Sequence, residues 1–223
     1  MKTIAIIVAM SKELGLLLPL LEDARTEEVH GTTFHTGRIG ERRIVAMECG
    51  IGKVNAAMGT TLLLDTFAPD VVVNTGVAAG AGEGVAVMDV VLASGVAHHD
   101  FWCIGEEWGR VPGSPRIIPT VVPEEIALAP HVKTGLICSG ELFISRREEI
   151  DTILGHFPEA LAVDMESAAI GQVCCARGVP YVCMRIISDT PWCSHDNSRQ
   201  YDDFWTEAPA HTFALVETLI NAL

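Results

Sequence analysis

Ile4-Ala5-Ile6-Ile7-Val8-Ala9 is an unbroken run of Ile, Val and Ala. A strand with one wet face alternates apolar and polar side chains. A run without alternation belongs to a strand covered on both faces, as in the middle of a parallel sheet. Ser11 follows as a candidate N-cap, so the stretch predicts a central strand passing at once into a helix. Val71-Val72-Val73-Asn74 repeats the pattern and empties into Thr75-Gly76-Val77-Ala78-Ala79-Gly80, which reads as a small-residue loop.

Working outward, further strands are expected at residues 88–93, 134–139, 161–164 and 181–188, with helices at 54–67, 146–156 and 166–177. Residues 29–36 and 43–49 flank Gly37-Arg38-Ile39-Gly40 and read as a hairpin that widens the sheet. Residues from the His98-His99-Asp100 loop to about 123 read as irregular, as do residues 189–200. A last helix is expected at 202–223, with Pro209 as a possible break. Strands alternating with helices predict one three-layer α/β/α domain over residues 1–223, built on a mixed, largely parallel sheet. Ligands of such sheets bind beyond the carboxyl ends of the strands.

The composition sets limits on partners and compartment. The 223 residues are 49% hydrophobic and 20% charged, which suits one large buried core. A net charge of −14 leaves no basic footprint for nucleic acid. The apolar runs are far too short to span a bilayer, so no membrane partner is expected. The seven cysteines form no C-x-x-C pair and read as reduced core thiols in a cytoplasmic protein. His98, His99 and Asp100 resemble a metal cluster only in isolation, because adjacent histidines do not readily converge on one ion. No metal site is expected.

Three carboxylates fall just after strands: Glu13, Glu166 and Asp189. Singly, each reads equally well as a helix-start charge near a macrodipole. Jointly, they match what cleavage of a purine N-glycosidic bond requires. Adenine leaves readily once N7 is protonated, while a base activates water and a further carboxylate holds the sugar.

Several blocks, in order, carry a resemblance over nearly the whole chain. They are Ile7-Val8-Ala9-Met10-Ser11-Lys12-Glu13, Gly50-Ile51-Gly52-Lys53-Val54-Asn55-Ala56-Ala57, Asn74-Thr75-Gly76-Val77-Ala78-Ala79-Gly80, Ser139-Gly140-Glu141-Leu142-Phe143-Ile144, Val163-Asp164-Met165-Glu166 and Arg185-Ile186-Ile187-Ser188-Asp189. Together they resemble the methylthioadenosine/S-adenosylhomocysteine nucleosidases of the nucleoside phosphorylase fold. The resemblance implies a cofactor-free homodimeric hydrolase that releases adenine from small adenine nucleosides, in methionine salvage and the clearance of methylation by-products. It leaves open which 5′ group is preferred, with 5′-deoxyadenosine and aminodeoxyfutalosine among the candidates.

By the same resemblance, Glu13 is the base for water and Asp189 the acid for adenine N7. Glu166 holds the ribose hydroxyls, Phe143 stacks on the base, the Ile144 backbone reads its edge and Met165 walls the ribose. Ser188 supports the acid and Arg185 the water site, while Gly76 and Ala78 let the ligand approach the backbone. Val77 stands where relatives often carry serine, and Trp192-Cys193-Ser194-His195 departs from the usual lid. The loop around Trp108 to Gly113 is implied to lie near a neighbouring subunit's 5′ pocket.

Two rivals follow from the residues. A phosphorylase of the same fold would need a cation for phosphate, yet no arginine precedes Arg25 and none lies between Arg43 and Arg110. A silent nucleoside-binding protein would have no use for all three acids.

Overall fold

The structure is a computed structural model and describes residues 2–192, 197–207 and 214–223. β1 (Thr3–Val8) is buried from its second residue onward and lies between β4 (Arg42–Glu48) and β5 (Val71–Gly80), parallel to both. β3 (Thr32–Ile39) and β2 (Glu22–Val29) continue the sheet as antiparallel strands beyond β4.

On its other side β5 meets two partners. It runs parallel to β10 (Tyr181–Asp189), and its last residues, Ala79 and Gly80, pair antiparallel with β9 (Ala160–Asp164). β10 pairs with β6 (Val90–His98), β6 with β8 (Val132–Ser139), and β8 with β9. The path therefore closes into a five-strand ring, β5-β10-β6-β8-β9, from which β1-β4-β3-β2 extends as an open arm.

The expectation of a two-sided sheet is met residue by residue. Ala5, Ile7, Val45, Met47, Val72 and Cys183 enter one core with Ala56 and Leu63 of α2 (Lys53–Phe67) and Ala169 and Ile170 of α5 (Ser167–Arg177). Their neighbours Ile4, Ile6, Val8, Ile44, Val73 and Met184 enter the other. There they meet Leu14 and Leu17 of α1 (Ser11–Leu17), Phe204 of α6 (Asn197–Glu207) and Leu219 of α7 (Ala214–Ala222). α3 (Glu124–Ala127) is a single turn, and α4 (Arg147–His156) packs Ile150 and Ile153 into a third cluster. Gly171 in α5 lets that helix lie on the sheet, since a Cβ there would stand 2.7 Å from Val96.

Several expected boundaries move. Thr75 to Gly80 is the second half of β5, because the small residues are hydrogen-bonded to β10 on one side and β9 on the other. β2, sequence EDARTEEV, lacks an apolar face and was missed. It is an edge strand with seven of its eight residues exposed. Gly37 is no turn residue: it sits inside β3, facing a bulge at Asp23 and Ala24, where a Cβ would come 2.8 Å from the Glu22 carbonyl. The reversal is at Gly40, with φ +55°. β6 continues through His98, a two-residue β7 (Ile118–Pro119) lies in the region read as irregular, and α6 begins at Asn197. Pro209 and residues 193–195 of the expected lid lie outside the described residues.

No helix among the described residues is long and apolar enough to cross a membrane.

Ile6 is 1% exposed while Glu27, on β2, is exposed. Ile6→Ala should lower unfolding free energy by about 2–5 kcal/mol, and Glu27→Ala should change it by less than about 0.5 kcal/mol. Urea unfolding followed by circular dichroism checks both, and equal losses would contradict the two-sided placement of β1.

Candidate active site

The carboxyl ends of β1, β5, β9 and β10, with the turn after β8, surround one cleft of about 580 Å³ that opens to solvent. Glu13, Val77, Ala78, Phe143, Ile144, Met165, Glu166, Ser188 and Asp189 all line it. Arg185 does not: it lies beneath the floor, 2% exposed, with Nε bonded to Asp164 Oδ2 at 2.7 Å and Nη2 to Asn74 Oδ1 at 2.5 Å. Any part it takes with a ligand runs through its remaining nitrogen. Nη1 is buried with no hydrogen-bond partner among the described residues.

Glu13 is placed by the start of α1. The N-cap is Met10 rather than Ser11, whose hydroxyl instead donates to Glu48 Oε2 at 2.8 Å. Glu13 reaches back from the third helical position, and its Oε2 accepts from the N–H groups of Ala9 at 2.9 Å and Met10 at 3.0 Å. A helix start leaves such donors without intrahelical partners, and a carboxylate there satisfies them. Oε1 accepts from Val77 N at 3.0 Å. Gly76 makes that bond possible, since at φ +150° any Cβ would collide with Glu13 Oε1. Burial raises the Glu13 carboxyl above its ordinary value, opposed by the charge of Arg185 and the three N–H donors.

Glu166 caps the start of α5, and its Oε1 accepts from Gly52 N at 2.8 Å. Burial, and then the neighbouring Asp164 charge, push its carboxyl up to about 7 against the pull of Arg185.

Asp189 ends β10 and is 1% exposed. Its Oδ1 accepts from Ser188 Oγ at 2.7 Å and its Oδ2 from Asn197 Nδ2 at 2.8 Å. Burial raises it, and those two neutral donors are what oppose the rise. Glu13 and Glu166 feel Arg185, whereas no cation appears among the causes acting on Asp189. Of the three, Asp189 is thus the carboxyl whose rise is opposed, among the described residues, by neutral donors alone.

No Lys or Arg side chain lines the cleft among the described residues. The histidine group is occupied otherwise: His98 Nε2 bonds to Gln172 Oε1 at 2.9 Å, and Asp100 pairs with Lys53 at 2.5 Å. Trp108 faces its own chain, stacked on His156 at 4.3 Å and donating to the His99 carbonyl. Arg110, Pro112 and Gly113 are exposed.

A sequence-family model described as the phosphorylase superfamily matches residues 3–221. The 5′-methylthioadenosine/S-adenosylhomocysteine nucleosidase of Chromohalobacter salexigens is 39% identical over 233 residues, covering 100% of this chain and 98% of that protein. The chain belongs to this nucleosidase family of the phosphorylase superfamily. Solved structures of the family agree. The Neisseria meningitidis nucleosidase in complex with methylthio-immucillin-A superposes with a TM-score of 0.93 at 35% identity, over 100% of both chains. The Streptococcus pneumoniae nucleosidase in complex with 8-aminoadenine gives 0.92 at 35%, again over 100% of both.

The nucleosidase cleft here also contains residues that sequence reasoning passed over. Tyr201 of α6 lines it and meets Phe143 edge-on, ring centroids 5.8 Å apart. Asn197, four residues earlier, holds Asp189. Their signal was the spacing Asn197, Tyr201, Phe204 and Trp205, one helical face with a polar end, whose first turn fell in the stretch 189–200 read as irregular while a helix was expected only from 202.

The raised Glu166 carboxyl fixes a sign for stability. Its folded pKa, about 7, lies above its ordinary 4.5, so between those values the folded chain binds more protons than the unfolded chain. Stability from this group is therefore full below about 4.5 and lost as pH rises toward 7. Glu166→Gln should flatten that part of the stability-versus-pH curve in thermal unfolding. A curve that keeps the native slope would remove Glu166 as its source.

Proposed function

We propose that this chain hydrolyses the N-glycosidic bond of 5′-methylthioadenosine and S-adenosylhomocysteine, releasing adenine and the 5-substituted ribose. The observation that carries the reading is the contrast between two buried carboxyls on one cleft. Glu13 is caged by backbone donors beside the field of Arg185, whereas among the described residues Asp189 is held by neutral donors alone. Environments of this kind separate a base from an acid.

In this reading Asp189 gives its proton to adenine N7 as the C1′–N9 bond breaks, so adenine departs neutral. Glu13 takes a proton from the attacking water, whose oxygen bonds to C1′. Arg185 Nη1, buried and without a partner, is the donor proposed for that water. Glu166 accepts from the ribose hydroxyls. Phe143 stacks on the base, the Ile144 backbone receives its edge, and Met165, Val77 and Ala78 wall the sugar. Val77 contributes its N–H to Glu13 and an apolar side chain to the cleft, where a serine would have added a hydroxyl. Phosphate fits poorly, because no cationic side chain lines the cleft among the described residues.

Residues 1–223 are proposed to act as a single domain, since the cleft draws on strands near both ends of the chain. A cytoplasmic setting is supported by six described cysteines that are all free. A homodimer is supported by the exposed Ile51, Val54, Met58, Leu142 and Phe143, three of which also rim the cleft.

Adenine release from methylthioadenosine in phosphate-free buffer should be readily measured. Asp189→Asn should lower kcat by at least about 10²-fold, and added phosphate should not raise the rate. Release that depends on phosphate would replace this reading with a phosphorylase. In sedimentation equilibrium the chain should run at twice its 24.0 kDa mass, and Val54→Glu with Met58→Glu should yield monomer. A monomeric native chain would remove the dimer.

A further inference from the structure

Asn197 opens α6 and is buried, yet it does not line the cleft. Its Nδ2 donates to Asp189 Oδ2 at 2.8 Å and to the Ile144 carbonyl at 3.2 Å. The two hydrogens of one amide diverge within a single plane, so a carboxamide bonded to two acceptors fixes their relative position. Among the described residues Asp189 is otherwise held by a side chain only at Oδ1, by Ser188, and a carboxyl torsion is broad and soft when one oxygen is unrestrained.

We infer that Asn197 is a positioning residue for the reaction, tying the acid to the backbone that receives the adenine edge so that the Asp189 proton is aimed at N7 of a base seated on Ile144. The inference rests on the proposed hydrolysis and deepens it. It makes the first turn of α6 part of the catalytic geometry, although no atom of Asn197 needs to touch the substrate.

The amide also acts on the proton. A donor to the carboxylate favours its ionised form, so Asn197 and Ser188 oppose the rise that burial causes. Among the described residues the other charged or titratable groups of the cleft are Glu13 on α1, Tyr201 on α6, Asp164 on β9 and Glu166 at the start of α5, with Arg185 of β10 turned toward Asp164 and Asn74. Among the described residues β5 offers the cleft only the uncharged Val77, Ala78 and Ala79.

The test is the pH dependence of kcat and kcat/KM for methylthioadenosine. Loss of the donor raises the acid's pKa, so Asn197→Ala should move the alkaline limb of kcat/KM upward by roughly one pH unit. It should also lower kcat about tenfold. Gln200→Ala loosens the same helix, since Gln200 Oε1 accepts from Thr190 N at 3.0 Å, but leaves the acid untouched and should leave the limb in place. Asn197→Gln retains the donor at the wrong reach, and should lower kcat with a near-native limb even if the alanine variant fails to fold. An unmoved limb in Asn197→Ala, an equal shift in Gln200→Ala, or native kcat in Asn197→Gln would overturn the inference. The native chain and Asp189→Asn assayed alongside separate the levels: no adenine release by the native chain sinks the hydrolase reading, full activity in Asp189→Asn removes Asp189 as the acid, and loss there with a native Asn197→Gln sinks only the role of Asn197.

Discussion

The ion pair between Arg185 and Asp164 is the constraint on which the rest of the site depends. Both side chains are 2% exposed, and the bond joins β10 to β9 across the ring beneath the cleft. Most of their remaining groups are met by neighbouring elements: Arg185 Nη2 by Asn74 of β5, Asp164 by the hydroxyls of Ser139 on β8 and Ser167 on α5. Ions buried this deeply are costly unless every remaining donor and acceptor is met, and removing one partner strands the other's charge. The single exception, Arg185 Nη1, lies in a group whose charge acts on both Glu13 and Glu166.

From that pair the electrostatics of the cleft follow in order. Asp164 pushes Glu166 up and Arg185 pulls it down, while Arg185 alone of the two acts on Glu13. Asp189, at the far end of the same strand as Arg185, lies outside this field and is governed by burial and two neutral donors. Three residues of one strand thus separate the Arg185 cation from the Asp189 carboxyl. The register shifts between Ile187 and Asp189, so the two side chains do not follow the strand's regular alternation, and four residue steps of strand span roughly 13 Å.

How far this was legible beforehand differs by feature. The central strands could be read because an apolar run such as Ile4 to Ala9 has no other stable home, and nine of the ten expected site residues line the cleft because motif order fixes strand ends. Arg185 fell on the right strand, but its burial under the floor depends on a partner, Asp164, that is distant in sequence. β2 was invisible because an edge strand with both faces wet carries no hydrophobic period. The second half of β5 was misread because glycine and alanine signal a turn locally, while here they permit close approach of Glu13 and of two flanking strands. Asn197 and Tyr201 were missed since the helix that carries them begins in a polar stretch.

The bulged, acid-rich β2 has a consequence for the protein in a crowded solution. Ring closure leaves five strands with neighbours on both sides, so the open arm ends the sheet at β2. Unpaired backbone at such an edge is a template for another copy's strand. Glu22, Asp23, Glu27 and Glu28 surround it with negative charge, and the irregular register opposite Gly37 bends the line a second strand would have to follow. The sheet therefore ends in a bulged strand whose excess of like charge disfavours pairing with a second copy, and that protection weakens as added salt screens the charge.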